Sequence, residues 1–283
     1  ADGAFLYATT DLATLAWRAE HWKPDRILYI VDHRQSQHFQ QVFATARAWG
    51  CRSEDQLSKT DLVHVAFGTV LGEDGKPFKT RVGNAVGLEA LLDEGVERAG
   101  LVVGEGEQAR QGMDNAKRQE VAEAVGIGAI KYADLSQNRT TDYVFSFDKM
   151  LELKGNTAAY MQYAVARVEG IVKRGGVDRE LLRQEISDDS SVLKFSDPLE
   201  RRLALAVLKL GAVLEDVEID YRPNVMTSWL YDLASCYSSF YDALSVLKAE
   251  GSQRTTRLVL CDLTGRTLRQ GMELLGIRVP DQM

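Results

Sequence analysis

Cysteine is scarce in this 283-residue chain, with Cys51, Cys236 and Cys261 scattered far apart. An odd, sparse set without metal-ligand spacing argues against a disulfide framework and for a reducing compartment. Long hydrophobic runs are missing too. None approaches the ~20 residues that cross a bilayer, and the N-terminus lacks a signal-peptide layout. A cytoplasmic protein without a membrane partner is therefore expected. Positive charge is also short: the net charge of −7 does not advertise a nucleic-acid binder.

What is present is ordinary for a globular chain, 45% apolar and 27% charged residues, in a length that allows two domains with separate cores. Residues 1–150 carry 17 Lys/Arg against 22 Asp/Glu, and residues 151–283 carry 17 against 19. Within the second half, Lys248 to Arg278 holds six basic residues against three acidic ones, so a polyanion would meet this segment first, unless it is a solvated helix face. The chain starts at Ala1 without Met and runs almost at once into an ordered-looking element. The expectation is a piece of something longer.

Tyr7 to Trp22 reads as a helix with Thr9, Thr10 and Asp11 as capping candidates, stopped at Lys23-Pro24-Asp25. Tyr7 and Asp11 are four apart and share a face. Ile27 to Val31 is a short unbroken apolar run, the pattern of a parallel strand buried on both faces. It runs into the polar cluster of His33, Arg34, Gln35 and His38, and then a helix from Gln40 to Trp49. Ligands of open α/β sheets gather at the carboxyl ends of strands, where these four residues lie. The plainer alternative is a polar cap on a βα turn.

A second strand-like run, Leu62 to Leu71, leads into Gly72-Glu-Asp-Gly-Lys-Pro-Phe-Lys-Thr-Arg-Val-Gly83, a Gly-bracketed loop carrying Lys76 and Lys79. Such a loop can lay two ammonium groups over a polyphosphate, or it can be an exposed hairpin. Helices are expected from Leu88 to Ala99 and from Glu120 to Ala124, the latter broken by Gly126-Ile-Gly128. Val103-Gly-Glu-Gly106 lacks the third glycine and the βαβ setting of a dinucleotide fingerprint.

From Leu151 the pattern turns helical. Met161, Ala164, Val165, Val168, Ile171 and Val172 form one stripe. Asp197-Pro198 opens a helix with Leu199, Leu203, Ala206, Val207, Leu210 and Leu214 on one face. Trp229, Leu233, Cys236, Tyr237 and Phe240 make a third stripe, and Leu258, Cys261, Gly265, Leu268, Met272 and Leu275 a fourth. These are core positions of a helical bundle. Two or three strands cannot close a doubly wound sheet alone, so the first half reads as an incomplete α/β layer.

Several strings in order resemble one family, the class I arginyl-tRNA synthetases. They are Phe5-Leu-Tyr-Ala-Thr-Thr-Asp-Leu-Ala13, Val31-Asp-His-Arg-Gln-Ser-Gln-His-Phe-Gln-Gln-Val-Phe43, and His64-Val-Ala-Phe-Gly68 through Lys76-Pro-Phe-Lys-Thr-Arg81. Lys131-Tyr-Ala-Asp-Leu-Ser-Gln-Asn-Arg139, Tyr160-Met-Gln-Tyr-Ala164 and Leu260-Cys-Asp-Leu-Thr-Gly-Arg-Thr-Leu268 continue the likeness to the tail. The resemblance implies the second half of a Rossmann-type catalytic domain over residues 1–150 and an all-α anticodon-binding domain over residues 151–283. It implies ATP-dependent activation of L-arginine and transfer to its tRNA.

By the same resemblance, Asp11 takes the substrate guanidinium in a bidentate pair, which selects against lysine. Tyr7 walls that group and Gln35 contacts the arginine. His64, Val65 and Phe67 border the adenine of ATP. Lys76 and Lys79 match the two lysines of the family's signature loop and neutralise phosphate charge, with Mg²⁺ carried by ATP and no protein metal cluster. The His-x-Gly-His signature of class I enzymes matches none of His21, His33, His38 and His64. The chain alone is therefore expected to be inactive. The parent is expected to be a monomer, and the exposed strand edges of the chain to promote self-association. The alternative is a non-catalytic module that binds tRNA or arginine, for which the lysine loop would have little use.

Overall fold

In the computed structural model, which describes residues 4–50, 56–72, 74–76, 87–105 and 113–283, the chain opens on helix α1 (Tyr7–Trp22). Lys23 ends it in the left-handed region (φ 48°), its N–H returning to the Arg18 carbonyl at 3.3 Å, and Pro24 prevents a further turn. The expected caps do not form. The N-cap position is Leu6, with no side-chain cap bond. Thr10 Oγ1 donates to the Tyr7 carbonyl at 2.8 Å instead, and Asp11 is drawn into a tertiary contact described below.

Strand β1 (Arg26–Asp32), helix α2 (Ser36–Gly50), the single turn α3 (Gln56–Lys59) and strand β2 (Asp61–Phe67) follow. Helix α2 starts four residues earlier than the sequence pattern suggests. The strands pair in parallel, from Arg26↔Asp61 to Asp32↔Phe67. Side chains alternate across a strand. Ile27, Tyr29 and Val31 pack with Leu62 onto a core of Leu15, Ala19, Phe39, Val42, Phe43 and Ala46 from α1 and α2. Leu28 and Ile30 fall on the other face, 42% and 67% exposed. The strand is thus covered on one face rather than both.

The second strand-like run also divides. After β2 the chain breaks at Gly68 and resumes as β3 (Val70–Leu71), which pairs with β4 (Tyr143–Val144). Gly68 N–H donates to the Arg139 carbonyl at 2.7 Å. A Cβ on Gly68 would stand 2.6 Å from the Thr141 carbonyl oxygen, so only glycine admits this close approach.

The chain falls into two compact units. One comprises Ala1–Val70 with Arg139–Tyr143, the other Leu71–Asn138 with Val144–Met283. The second unit holds helices α4 (Leu88–Glu105), α5 (Asn115–Leu135), α6 (Phe147–Met150), α7 (Ala158–Gly175), α8 (Arg179–Asp188), α9 (Pro198–Leu208), α10 (Leu210–Asp220), α11 (Pro223–Ala243) and α12 (Gly251–Leu274). Gly126 and Gly128 do not interrupt α5. They lie inside one continuous helix, and a Cβ on Gly126 would sit 2.5 Å from the Gly95 carbonyl oxygen of α4. The glycines let two helix backbones touch. Tyr132 of α5 is buried in the bundle core, its hydroxyl 2.7 Å from Asn156 Oδ1 and 2.9 Å from the Thr227 carbonyl. This packing places α4 and α5 with the bundle, although they precede residue 150. Val103, Gly104 and Glu105 close α4, so their backbone is helical.

In the bundle, Met161, Ala164, Val165, Val168 and Ile171 are buried, as are Trp229, Leu233, Cys236, Tyr237 and Phe240, and Leu258, Cys261, Leu268 and Met272. The segment after Asp197 makes two helices rather than one. Asp197 and Glu200 form a reciprocal capping box with Pro198 in the first turn, but α9 ends at Leu208, and Leu214 on α10 is exposed. Glu200 carries a second duty, a buried ion pair with Arg257 of α12 at 2.8 Å. No helix among the described residues is long and apolar enough to cross a membrane.

Candidate active site

Parallel pairing brings the carboxyl ends of β1 and β2 side by side, with Asp32 opposite Phe67. His33 Nδ1 lies 3.2 Å from the Phe67 carbonyl and links the two ends. Asp32 caps the short 3-10 turn His33–Gln35 through the Arg34 backbone N–H, and its carboxylate takes the Arg34 guanidinium at 2.9 and 2.7 Å. These Arg34 bonds hold the Asp32 carboxyl well below the usual carboxylate range and push Arg34 upward in turn. Gln35 ends the turn and is exposed.

Asp11 reaches this region from α1. Its Oδ2 accepts a hydrogen bond from His38 Nε2 at 2.6 Å, both side chains about one-third exposed. The His38 ring stands edge-on to Phe39 (centroids 5.2 Å), and Phe39 lies 4.8 Å from the His64 ring. His64 Nε2 donates to the Val31 carbonyl at 3.0 Å. Arg18 Nη1 is 3.4 Å from the Tyr29 hydroxyl, and burial raises the Tyr29 pKa, opposed by Arg18 and reinforced by the charge of Asp11. Tyr7 is 89% exposed, Val65 is buried and Phe67 is exposed at the strand end. Asp11, His38 and His64 thus form one continuous patch with the strand end. Tyr7 and Gln35 stand at its margins with their side chains in solvent.

In the second unit, Lys76 closes a tight turn. Gly72 N–H donates to the Lys76 carbonyl at 2.8 Å, Lys76 N–H to Asp74 Oδ1 at 3.1 Å, and Gly75 takes φ +70°. The Lys76 side chain is exposed. Lys79 lies outside the described residues.

Farther along the same unit, the basic terminal segment is largely neutralised internally. Arg257 pairs with Glu200, Arg266 with Asp262 at 3.7 Å, Arg269 with Asp281 at 2.7 Å and Arg278 with Glu123 at 3.4 Å. On α7, Arg167 sits between aromatic rings, 4.3 Å from the Tyr241 centroid and 5.4 Å from that of Tyr163.

Residues 1–147, which hold the strand-end patch and the lysine turn, match the family described as tRNA synthetases class I (R), catalytic domain. The chain belongs to the class I arginyl-tRNA synthetases. Residues 161–283 match the DALR anticodon binding domain. An arginine–tRNA ligase from a Synechococcus strain is 47% identical over 283 residues, covering all of this chain and 47% of its own length. One from a Nostoc strain is 48% identical over 286 residues, with the same coverage. Among solved structures, arginyl-tRNA synthetase from Plasmodium falciparum superposes with a TM-score of 0.80 at 27% identity, over the whole chain and 45% of its own. That of Thermus thermophilus gives 0.74 at 27% identity, over 92% of this chain and 41% of its own. The chain therefore spans about half the length of the curated relatives it matches.

Two features of the strand-end patch are not legible residue by residue in the sequence. The bond from His38 to Asp11 joins residues 27 apart, and the only sequence signal was a histidine in the polar cluster after β1. Arg139 was visible as part of a family-like string but carried no role. In the structure its Nη1 lies 2.5 Å from the Ala66 carbonyl near the end of β2.

Proposed function

We propose that this chain carries the arginine pocket, the lysine loop and the anticodon-binding domain of an arginine–tRNA ligase. What carries this reading is the match of both domains along a chain close to half identical to arginine–tRNA ligases. In the reaction, the L-arginine carboxylate attacks the α-phosphate of ATP, giving arginyl-adenylate and pyrophosphate. A hydroxyl of the terminal adenosine of the arginine tRNA then attacks the activated carbonyl and releases AMP.

Asp11 takes the guanidinium as a bidentate pair, with Tyr7 beside it and Gln35 contacting the amino acid. His64, Val65 and Phe67 border the adenine. Of these, Phe67 has the open surface for that contact, while His64 is bonded to the β1 backbone. Lys76 and Lys79 neutralise charge that grows on the phosphates during displacement. Among the described residues no group of three or more His, Cys, Asp or Glu side chains converges to hold a metal ion. Residues 1–150 form the catalytic portion and residues 151–283 the tRNA-reading portion of a cytoplasmic enzyme.

ATP–pyrophosphate exchange with arginine and arginine tRNA tests this. The chain by itself is expected to stay at background, because its four histidines form no His-x-Gly-His pair for the phosphates. Joined to the N-terminal half of the Nostoc relative, it is expected to give arginine-dependent exchange that Lys79→Ala removes. Robust turnover by the chain alone, or none by the joined protein, would overturn the proposal.

A further inference from the structure

We infer that His38 is a positioning residue for arginine recognition: its imidazole N–H, 2.6 Å from Asp11 Oδ2, sets the carboxylate that receives the guanidinium. The inference rests on the reading of Asp11 as the guanidinium acceptor and goes beyond it by naming what orients that acceptor.

Asp11 lies on α1 near its start, with its side chain about one-third exposed and bonded to His38. Without that bond an aspartate so placed would sample several rotamers, and ordering it upon ligand binding would cost affinity. His38 supplies the constraint from a rigid element. It sits in the first turn of α2, and its neighbour Phe39 is buried in the core formed with α1. The His38 ring packs edge-on to Phe39 and stays two-thirds buried, so it moves with that core and not with solvent.

The chemistry of the donor fits the task. An ionised carboxylate offers about four lone-pair sites on two oxygens, and one N–H uses a single site. Both oxygens keep capacity for the two parallel N–H groups of a guanidinium. A neutral imidazole donates without cancelling the carboxylate charge. A lysine or arginine in its place would neutralise the charge the substrate needs. The tautomer required is Nε2–H, set by the acceptor it faces.

Isothermal titration of the full chain with L-arginine and with L-citrulline, its uncharged isostere, tests this. His38→Ala is expected to weaken L-arginine binding about tenfold or more, the range for a hydrogen bond to a charged group. The citrulline affinity should move far less, so the arginine-to-citrulline ratio falls. His38→Gln, whose amide N–H replaces Nε2–H, is expected to recover most of the loss. Far-UV circular dichroism and Tm should stay at wild-type values in both variants. Asp11→Asn serves as the reference. If it loses arginine binding while His38→Ala keeps wild-type affinity, the positioning role is wrong and the Asp11 reading stands. If Asp11→Asn binds as the wild type does, or the wild type binds no arginine, the Asp11 reading fails and takes this inference with it. Should both His38 variants unfold, ¹⁵N-imidazole spectra of the wild type decide. An Nε2-protonated His38 supports the role, and an Nδ1-protonated one overturns it.

Discussion

Cys261 sits fully buried in α12, and burial pushes its thiol pKa up to about 12, against 9.0 for the free group. Tyr132 and Tyr237, both inside the same core, are raised by burial as well. The folded chain therefore keeps protons that the unfolded chain releases as pH climbs past 9. Stability should fall between pH 9 and about 12, more steeply above pH 10 where the unfolded tyrosines also ionise. Urea unfolding at pH 8, 9.5 and 10.5 should show a declining midpoint, and a flat or rising one would contradict the argument. At pH 8 the Cys261 thiol should resist iodoacetamide in the native chain and react once urea is added, as read by peptide mass spectrometry. Asp32 acts in the opposite sense. Its lowered pKa favours the folded chain at neutral pH, and that contribution disappears only as pH drops below the ordinary carboxylate range.

Helix pairs test which glycines and charges the elements depend on. Gly126→Ala would push a methyl into the Gly95 backbone of α4, which cannot swing aside as a side chain can. A loss of about 1–3 kcal/mol is expected from such overpacking. Gly170→Ala in α7 meets nothing closer than the flexible end of Arg174 at 3.9 Å. It should be neutral or stabilise by up to about 1 kcal/mol, the usual helix gain over glycine. Denaturant melts of both variants followed by helical circular dichroism would expose a wrong assignment if their order were reversed. At the α9–α12 contact, Arg257→Ala leaves the fully buried Glu200 without its guanidinium and should destabilise by about 3–5 kcal/mol. Asp197→Ala removes only a cap, worth about 1 kcal/mol. Comparable losses in the two variants would mean that the buried pair is no more than a surface one.

For the whole molecule, the two units differ in how much core they own. Among the described residues the bundle cluster contains 27 buried residues, against eight in the cluster around α1, α2 and β2. Trp17, Trp22 and Trp49 lie in the first unit and Trp229 in the second, so Trp229→Phe makes fluorescence a report on the first unit alone. In that variant, fluorescence should change at lower denaturant than the helical signal. Coincident transitions would show one cooperative molecule instead. The uncovered face of β1 carries a solution consequence as well. Ile30→Lys should reduce any concentration-dependent association seen in sedimentation of the unsubstituted chain, since a charge on an exposed strand opposes its pairing with a second copy. An unchanged association constant would place the contact elsewhere.

The helices were the most legible part of the chain, because a 3.6-residue apolar period leaves its record locally. The α7 stripe and the core positions of α11 and α12 are readable from spacing, the Asp197-Pro198 start from its cap chemistry, and the end of Tyr7–Trp22 from its Lys23-Pro24 stop, while the caps expected at its start do not form. The family was legible as well, because its strings recur in order along nearly the whole length. What stayed hidden depended on a partner far away in sequence. Gly126 looks like a breaker until α4 is laid against it, and Leu62 to Leu71 looks like one strand until Thr141 approaches Gly68. The same holds for the site. The chain order gives Asp11 and His38 as two polar residues on two helices, and only the packing of α1 and α2 onto β1 and β2 brings them to 2.6 Å. Sequence nominates the residues expected to do the chemistry, and tertiary structure decides which carboxylate is held in place and by what. Periodicity is a property of neighbours along the chain, whereas a hydrogen bond between helices exists only after the core has formed.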